Sequence, residues 1–221
     1  MKNITIIAIA LFMCITTCLA QENCSRKTTF GTAQICLPTI TDYAECYLDP
    51  SVKPIADGTE VPANMVLGYY INSEAYNDKS FLTGERYEDY FKIYGTKQIQ
   101  NYKADRSLIN EMRTMLQGNF VTENWDQMEK EIDKVGLNVE IGVPTVVKNY
   151  SLNDDSFTFV MLTKYQVPSG ESYTMAMTMN GLLINERLVW MAYYLEYKGK
   201  DSISKAQKRS DAIMKALMNS N

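Results

Sequence analysis

The stretch RLVWMAYYLEY, residues 187–197, decides the fold class. Alternate residues of a β-strand point to opposite faces of its sheet. One set in this stretch is Leu188, Trp190, Ala192 and Tyr194, and the other is Val189, Met191, Tyr193 and Leu195. Because both sets are apolar, both faces of the sheet must be covered where this strand runs.

Two further strand-like segments precede this one, at 157–167 and 173–184. The turn residues 168–171 separate the first two segments, and Asn185 and Glu186 separate the last two. Three consecutive strands with short connections are typical of an antiparallel meander.

Three segments show the apolar period of an amphipathic helix, at 105–117, 123–135 and 202–218. We expect Gly118 and Gly136 to end the first two, and Thr122 to cap the second. With helices available for both faces, we predict an α+β fold. It is a mainly antiparallel central sheet with helices on both faces, an α/β/α sandwich, and a C-terminal helix.

The N-terminal half gives weaker signals. Strands are predicted at 30–37, 65–71 and 90–94, the last ended by Gly95, with a polar loop at 72–84. Residues 38–64 contain four prolines and are predicted to be loop. Pro144 makes 139–147 either an edge strand or two short pieces.

The first 20 residues have the pattern of a secretory signal peptide. Lys2 precedes an apolar run at 4–15, and Ala20 is a small residue before the polar sequence that follows. A membrane-spanning helix needs about 20 apolar residues, so this run is too short and no transmembrane segment is expected. We therefore predict a periplasmic or secreted single domain, 21–221, with a cysteine-containing, proline-rich N-terminal segment at 21–64. Lipid attachment at Cys18 is the alternative.

Charge excludes one class of partner. The sequence has 22 basic and 26 acidic residues; loss of Lys2 with the signal peptide leaves 21 basic residues and a net charge of −5. Proteins that bind nucleic acid through phosphate contacts carry a basic patch, so no nucleic-acid partner is expected.

Three cysteines remain after the signal peptide: Cys24, Cys36 and Cys46. Outside the cytoplasm two of them are expected to pair, and the sequence leaves all three pairings open. The third is either buried or available to a partner. A metal site is disfavoured because no short C-x-x-C pair is present.

Residues 156–218 resemble the PsbP-like fold family of photosystem II extrinsic proteins and bacterial exported or accessory proteins. The resemblance rests on the meander through Asn185-Glu186-Arg187-Leu188, the aromatic strand with Tyr193, Tyr194 and Tyr197, and the terminal helix from Asp201. It implies an α/β/α sandwich and a binding or assembly role, without transferable site residues.

The sequence contains no histidine, which excludes catalytic sites that need an imidazole base or ligand. Ser202 and Lys205 match an S-x-x-K pattern, but the accompanying S-D-N and K-T-G motifs are missing. The serine is better explained as a helix cap. No catalytic residue or cofactor is predicted.

Two low-ranking site hypotheses remain. Met175, Met177 and Met179 alternate on one strand face, and thioethers suit Cu(I); core packing explains them more simply. Carboxylates could support a hydrolase if a fold brought two of them together, and the acids considered are Glu85, Glu88, Asp89, Asp154 and Asp155. A turn is the simpler interpretation of residues 153–156.

Tyrosines are concentrated in one part of the chain, at positions Tyr69, Tyr70, Tyr87, Tyr90, Tyr94 and Tyr102. Such side chains suit contact surfaces for proteins or glycans, and also strand edges. We expect a non-catalytic binding or accessory protein of the cell envelope whose partner is another envelope or secreted protein or a glycan.

The signal peptide makes a direct prediction about the exported chain. Intact-mass measurement of protein recovered from the envelope fraction should give a mature chain that begins at Gln21. A lipid-modified mass that disappears in Cys18→Ser would contradict simple cleavage.

Overall fold

The computed structural model describes residues 24–82, 89–116, 120–136, 140–167 and 169–221. Its strands are β1 Cys24–Phe30, β2 Ala33–Pro38, β3 Tyr43–Glu45, β4 Asn64–Asn72, β5 Asp89–Thr96, β6 Glu140–Ile141, β7 Thr145–Tyr150, β8 Ser156–Gln166, β9 Ser172–Ile184 and β10 Arg187–Glu196. Its α-helices are α1 Lys53–Gly58, α2 Ser73–Asn77, α3 Arg106–Met115, α4 Phe120–Glu123, α5 Trp125–Asp133 and α6 Lys200–Asn219. The predicted signal peptide and Cys18 lie outside the described residues.

Most strands belong to one antiparallel sheet in the order β3-β4-β5-β10-β9-β8-β6, with β7 also paired to β8. Strands β8, β9 and β10 form the predicted meander. Asn185 and Glu186 make the tight turn between β9 and β10, both with positive φ angles of 47° and 58°. The α+β class, the large antiparallel sheet and the C-terminal helix are confirmed.

Helix α6 packs on one face of the sheet. Its apolar side chains meet those of β10, β5 and the β1–β2 hairpin in one buried cluster, which includes Ala206, Ile213, Met214, Leu217, Val189, Met191, Tyr193, Phe91, Phe30 and Leu37. Polar groups inside this layer are paired: the hydroxyl of Thr178 is 2.8 Å from that of Ser210, and Thr158 donates to the amide oxygen of Asn180 at 2.8 Å.

A second buried cluster lies on the other face of β8. Its β8 residues alternate along the strand with those that face α6. Phe157, Phe159 and Met161 pack there with Ile109 of α3 and Val121 of α4. Strand β10 contributes Leu188 to this cluster and Val189 to the one under α6, so both of its faces are buried.

The N-terminal prediction needs correction. The segment predicted as one strand at 30–37 is broken by a turn, because Gly31 adopts a positive φ of 60° and reverses the chain between β1 and β2. The predicted loop at 38–64 contains β3 and α1. Pro54 is compatible with α1 because it lies in the first turn, where its missing N–H costs no hydrogen bond.

Strand β5 continues through Gly95, which was expected to end it. The ring of Phe30 lies directly over Gly95, in the space a side chain would need. The prediction of a continuous polar loop at 72–84 was also wrong, because this segment contains α2 and a 3₁₀ turn at Ser80–Leu82. Its last two residues lie outside the described part.

The predicted helices differ at their ends. Asp105 caps α3 by accepting a hydrogen bond from the Leu108 amide at 3.1 Å, while Gly118 lies outside the described residues. The segment 123–135 is not one helix: Thr122 lies inside α4 rather than capping, and α5 begins after Asn124. Pro144 separates β6 from β7, so the described part of the segment predicted at 139–147 contains two short strands.

A disulfide joins the two strands of the β1–β2 hairpin, and Asn221 ties the hairpin to the end of α6. Cys24 and Cys36 form a disulfide with Cα atoms 5.4 Å apart, one of the three pairings the sequence left open. Cys46 is buried, and its thiol donates to the carbonyl of Tyr69 at 3.3 Å. Burial raises the pKa of Cys46 to about 12. The side chain of Asn221 bonds both backbone groups of Cys36, at 2.8 and 2.9 Å.

No helix of the described residues is long and apolar enough to span a membrane.

Packing around Gly181 of β9 gives a stability prediction. The buried ring of Phe157 lies over Gly181 and is held edge-on by Phe159 and Trp190, so Gly181→Ala forces a repacking. We expect a loss of about 1–3 kcal/mol in the free energy of unfolding, measured with urea.

The matched control is Gly58→Ala at the end of α1, where a methyl group meets open space. It should be neutral or stabilising by about 0.4–1 kcal/mol. Equal effects of the two substitutions would contradict the packing described for Phe157.

Candidate functional site

A cavity of about 1690 Å³ lies between the sheet and helices α3, α4 and α5. It is on the sheet face opposite α6, and it is partly open to solvent. Small-molecule sites usually occupy about 300–1,000 Å³ and are mostly apolar, so this cavity is large enough for an extended ligand.

The floor of the cavity is set by strand register. Tyr90, Tyr194, Met177 and Met161 lie side by side across β5, β10, β9 and β8. The row beside it consists of Lys92, Ala192, Met179 and Phe159. Because side chains alternate along each strand, both rows project toward the same face.

Aromatic rings cover the floor in stacked pairs. Tyr90 stacks on Tyr194 with ring centroids 4.6 Å apart and on Tyr69 at 5.7 Å. Toward β8, Tyr165 stacks on Tyr173 at 5.4 Å. These flat rings form a broad apolar surface.

The opposite wall comes from the helices. Their cavity-facing side chains are mostly apolar and include Met112, Met115, Leu116, Phe120, Val121, Trp125, Met128 and Ile132. Among the described residues, six methionines line the cavity when the floor is included: Met112, Met115, Met128, Met161, Met177 and Met179. Methionine is unbranched and polarisable, so such a lining adapts to ligands of different shape.

A buried ion pair lies within this apolar setting. Lys92 Nζ is 2.6 Å from Glu60 Oε2, and the two side chains are only 10% and 8% exposed. The ammonium group also lies 5.4 Å from the ring centroid of Tyr94 and 5.9 Å from that of Tyr194. The carboxylate and the two rings together compensate a buried positive charge.

Two phenols use thioethers as acceptors. Tyr94 donates to Met179 Sδ at 2.9 Å, and Tyr165 donates to Met177 Sδ at 3.5 Å. Burial raises the pKa of both phenols, so they remain neutral donors. A thioether is a weak acceptor, which leaves these hydroxyl groups with weak partners.

The predicted methionine row is on one face of β9. Met175 and Met177 are buried, and Met177 and Met179 line the cavity. Thr178 and Asn180 point to the other face, toward α6, as the alternation predicted. Copper binding by the three thioethers stays the less favoured hypothesis, and the sulfur atoms of Met177 and Met179 accept hydrogen bonds from phenols.

The candidate carboxylates are dispersed. Asp89 accepts hydrogen bonds from Tyr43 and Tyr193 and pairs with Leu195 in register, whereas Asp155 binds Arg106 at 2.7 Å near the other end of β10. Seven residues of strand separate these ends, about 23 Å. That distance is too great for a catalytic pair. Asp155 is in the expected turn, where its amide donates to the side chain of Asn153, and Asp154 lies beside it. Glu85 and Glu88 are outside the described residues.

Ser202 lies inside the first turn of α6, with Gly199 at the cap position. The interpretation of Ser202 as the helix cap is therefore wrong: its hydroxyl accepts a hydrogen bond from the Lys198 amide at 2.9 Å, just before the helix begins.

The tyrosines do not form one outer surface. Tyr69, Tyr90 and Tyr94 are on the cavity face, while Tyr70 stacks on Phe91 toward α6 at 4.2 Å. Tyr102 is 58% exposed, and Tyr87 is outside the described residues. The sequence shows many tyrosines and methionines but does not predict the cavity, because the floor of the cavity combines residues of four strands.

Comparisons with known proteins return structural neighbours alone. No protein-family model and no curated protein sequence matches the chain. The crystal structure of the Ran-binding protein Mog1p from Saccharomyces cerevisiae is similar over 88% of this chain and 93% of its own, with 10% identity and a TM-score of 0.34. A mutant of Mog1 gives the same values.

The buried ion pair predicts an asymmetric mutational response. Glu60→Gln leaves the Lys92 ammonium without its carboxylate and should lower the free energy of unfolding by about 3–5 kcal/mol. Adding Lys92→Met should restore part of that loss, as measured by urea unfolding of the single and double variants.

Asp57→Asn is the matched control, because Asp57 pairs with Lys53 at 2.6 Å and both side chains are 46% exposed. That change should cost no more than about 1 kcal/mol. If Glu60→Gln costs no more than this control, the Lys92 charge is not buried as described.

Proposed function

We propose that this chain is an exported, non-catalytic binding protein that holds an apolar small molecule in the cavity between the sheet and α3–α5. The observation that carries the proposal is the size of the cavity together with its methionine- and aromatic-rich lining. Burial of a ligand there yields about 0.8 kcal/mol per methylene group.

The arrangement of layers supports this proposal. The proposed fold is an α/β/α sandwich, with α6 on one face of the sheet and α3–α5 on the other. The α6 side is filled by one continuous apolar cluster, whereas on the other side the buried apolar residues are divided among smaller clusters and border the cavity. The proposal keeps the PsbP-like arrangement as its working fold and places the ligand on the less filled side.

Export is part of the proposal for two reasons. The first 20 residues have the pattern of a signal peptide, and a disulfide joins Cys24 to Cys36. Disulfides persist outside the reducing cytoplasm. A periplasmic or secreted binding protein meets both conditions.

A small molecule replaces the protein or glycan partner expected from the sequence. That expectation depended on tyrosines at an outer surface, but Tyr69, Tyr90 and Tyr94 are buried or half-buried on the cavity face. An interior aromatic lining suits a ligand that enters, rather than a flat partner that docks.

The neutral fluorophore N-phenylnaphthylamine tests the proposal, since its emission rises in apolar surroundings. The wild-type protein should bind it saturably. Ile132→Arg places a long charged side chain in the cavity wall and should weaken binding by about tenfold or more, because it occupies part of the cavity and an apolar ligand would have to strip water from the guanidinium group.

Leu48→Arg is the control, since Leu48 is 62% exposed and outside the cavity lining. Circular dichroism checks that both variants are folded. Absence of saturable binding, or equal weakening by the two substitutions, would count against the cavity as the site.

A further inference from the structure

The charges around the cavity are unequal. The described lining contains four carboxylates, Glu60, Glu131, Glu171 and Glu196, and two ammonium groups, Lys92 and Lys198. An anionic ligand entering this cavity therefore meets more negative than positive charge.

Both lining ammonium groups already have carboxylate partners. Lys92 pairs with Glu60 at 2.6 Å, and Lys198 Nζ is 3.4 Å from Glu196 Oε2. A ligand carboxylate that captured Lys92 would leave Glu60 unpaired in an apolar wall. Because an unpaired buried charge is costly, the exchange is unfavourable.

Neutral hydrogen-bond donors are present instead. Among the described residues, the hydroxyls of Tyr94 and Tyr165 bond to thioether sulfur atoms alone. Thr163 lies two residues from Tyr165 on the same strand face, and its buried hydroxyl has no hydrogen-bond partner in the described part of the chain. A carbonyl oxygen is a far better acceptor for these donors than sulfur.

We propose, building on the apolar-ligand function above, that the cavity selects an uncharged lipid with an ester or ketone carbonyl over a fatty-acid anion. The hydroxyl of Tyr94 or that of Tyr165 donates to that carbonyl in place of its thioether acceptor, and the apolar chain lies along the methionine-lined walls.

Displacement of bound N-phenylnaphthylamine at pH 8 tests this with matched chains: methyl dodecanoate, dodecanoate and dodecane. The ester should displace the fluorophore at a concentration about tenfold or more below that of dodecanoate, since the anion must desolvate without a cationic partner. In Tyr94→Phe/Tyr165→Phe the advantage of the ester over dodecane should shrink about 2- to 12-fold, the value of one hydrogen bond.

Tyr102→Phe is the control, because Tyr102 is exposed and outside the lining; it should leave both ratios unchanged. Failure of the fluorophore to bind the wild-type protein overturns the cavity function and this selectivity together. Binding of the fluorophore with equal or better displacement by dodecanoate overturns the selectivity alone. An ester advantage unchanged in the double variant overturns the assignment to the two phenols.

Discussion

Strand β10 is buried along nearly its whole length, so the sheet must be covered on both sides at its centre. The face with Val189, Met191 and Tyr193 is covered by α6 and the β1–β2 hairpin. The face with Trp190, Ala192 and Tyr194 looks into the cavity and the α3–α4 cluster. The remaining architecture follows from how these two covers differ.

The α6 side is the more completely packed of the two. Its edge is held by a group of four side chains, in which Asp89 accepts from Tyr43 and Tyr193 while Arg209 of α6 donates to the Tyr43 oxygen at 2.7 Å. Burial, together with the neighbouring carboxylate, raises the pKa of Tyr43 and Tyr193, which keeps them protonated donors. Buried apolar contacts and these hydrogen bonds on the α6 side therefore stabilise the fold.

The cavity side can then remain incompletely filled. An unfilled apolar cavity costs stability because its lining loses packing contacts. A ligand that fills it restores those contacts and stabilises the native state by mass action. The methionines of α3, α5, β8 and β9 suit this role, since they can repack around different occupants.

The sequence pattern correctly predicted the elements in which the periodic spacing of apolar residues continues over many residues. Strands β8–β10 and helices α3 and α6 belong to this group, and the alternation of Met175, Met177 and Met179 with Thr178 assigned their faces correctly. The predictions of short elements were wrong because their structure depends on single residues. The chain turns at Gly31, a helix accommodates Pro54 in its first turn, and strand β5 runs through Gly95 beneath the ring of Phe30. The cavity could not be predicted, since Tyr90, Tyr194, Met177 and Met161 become neighbours only through the register of four strands.

The occupied face can be located with methyl-¹³C-methionine NMR during titration with a neutral apolar ligand. Met161, Met177 and Met179 line the cavity, whereas Met191 and Met214 are buried in the α6 cluster. If the cavity is the binding site, the first three methyl signals shift on titration while the last two stay in place. Shifts confined to Met191 and Met214, or no saturable shift at any of the five, would contradict it.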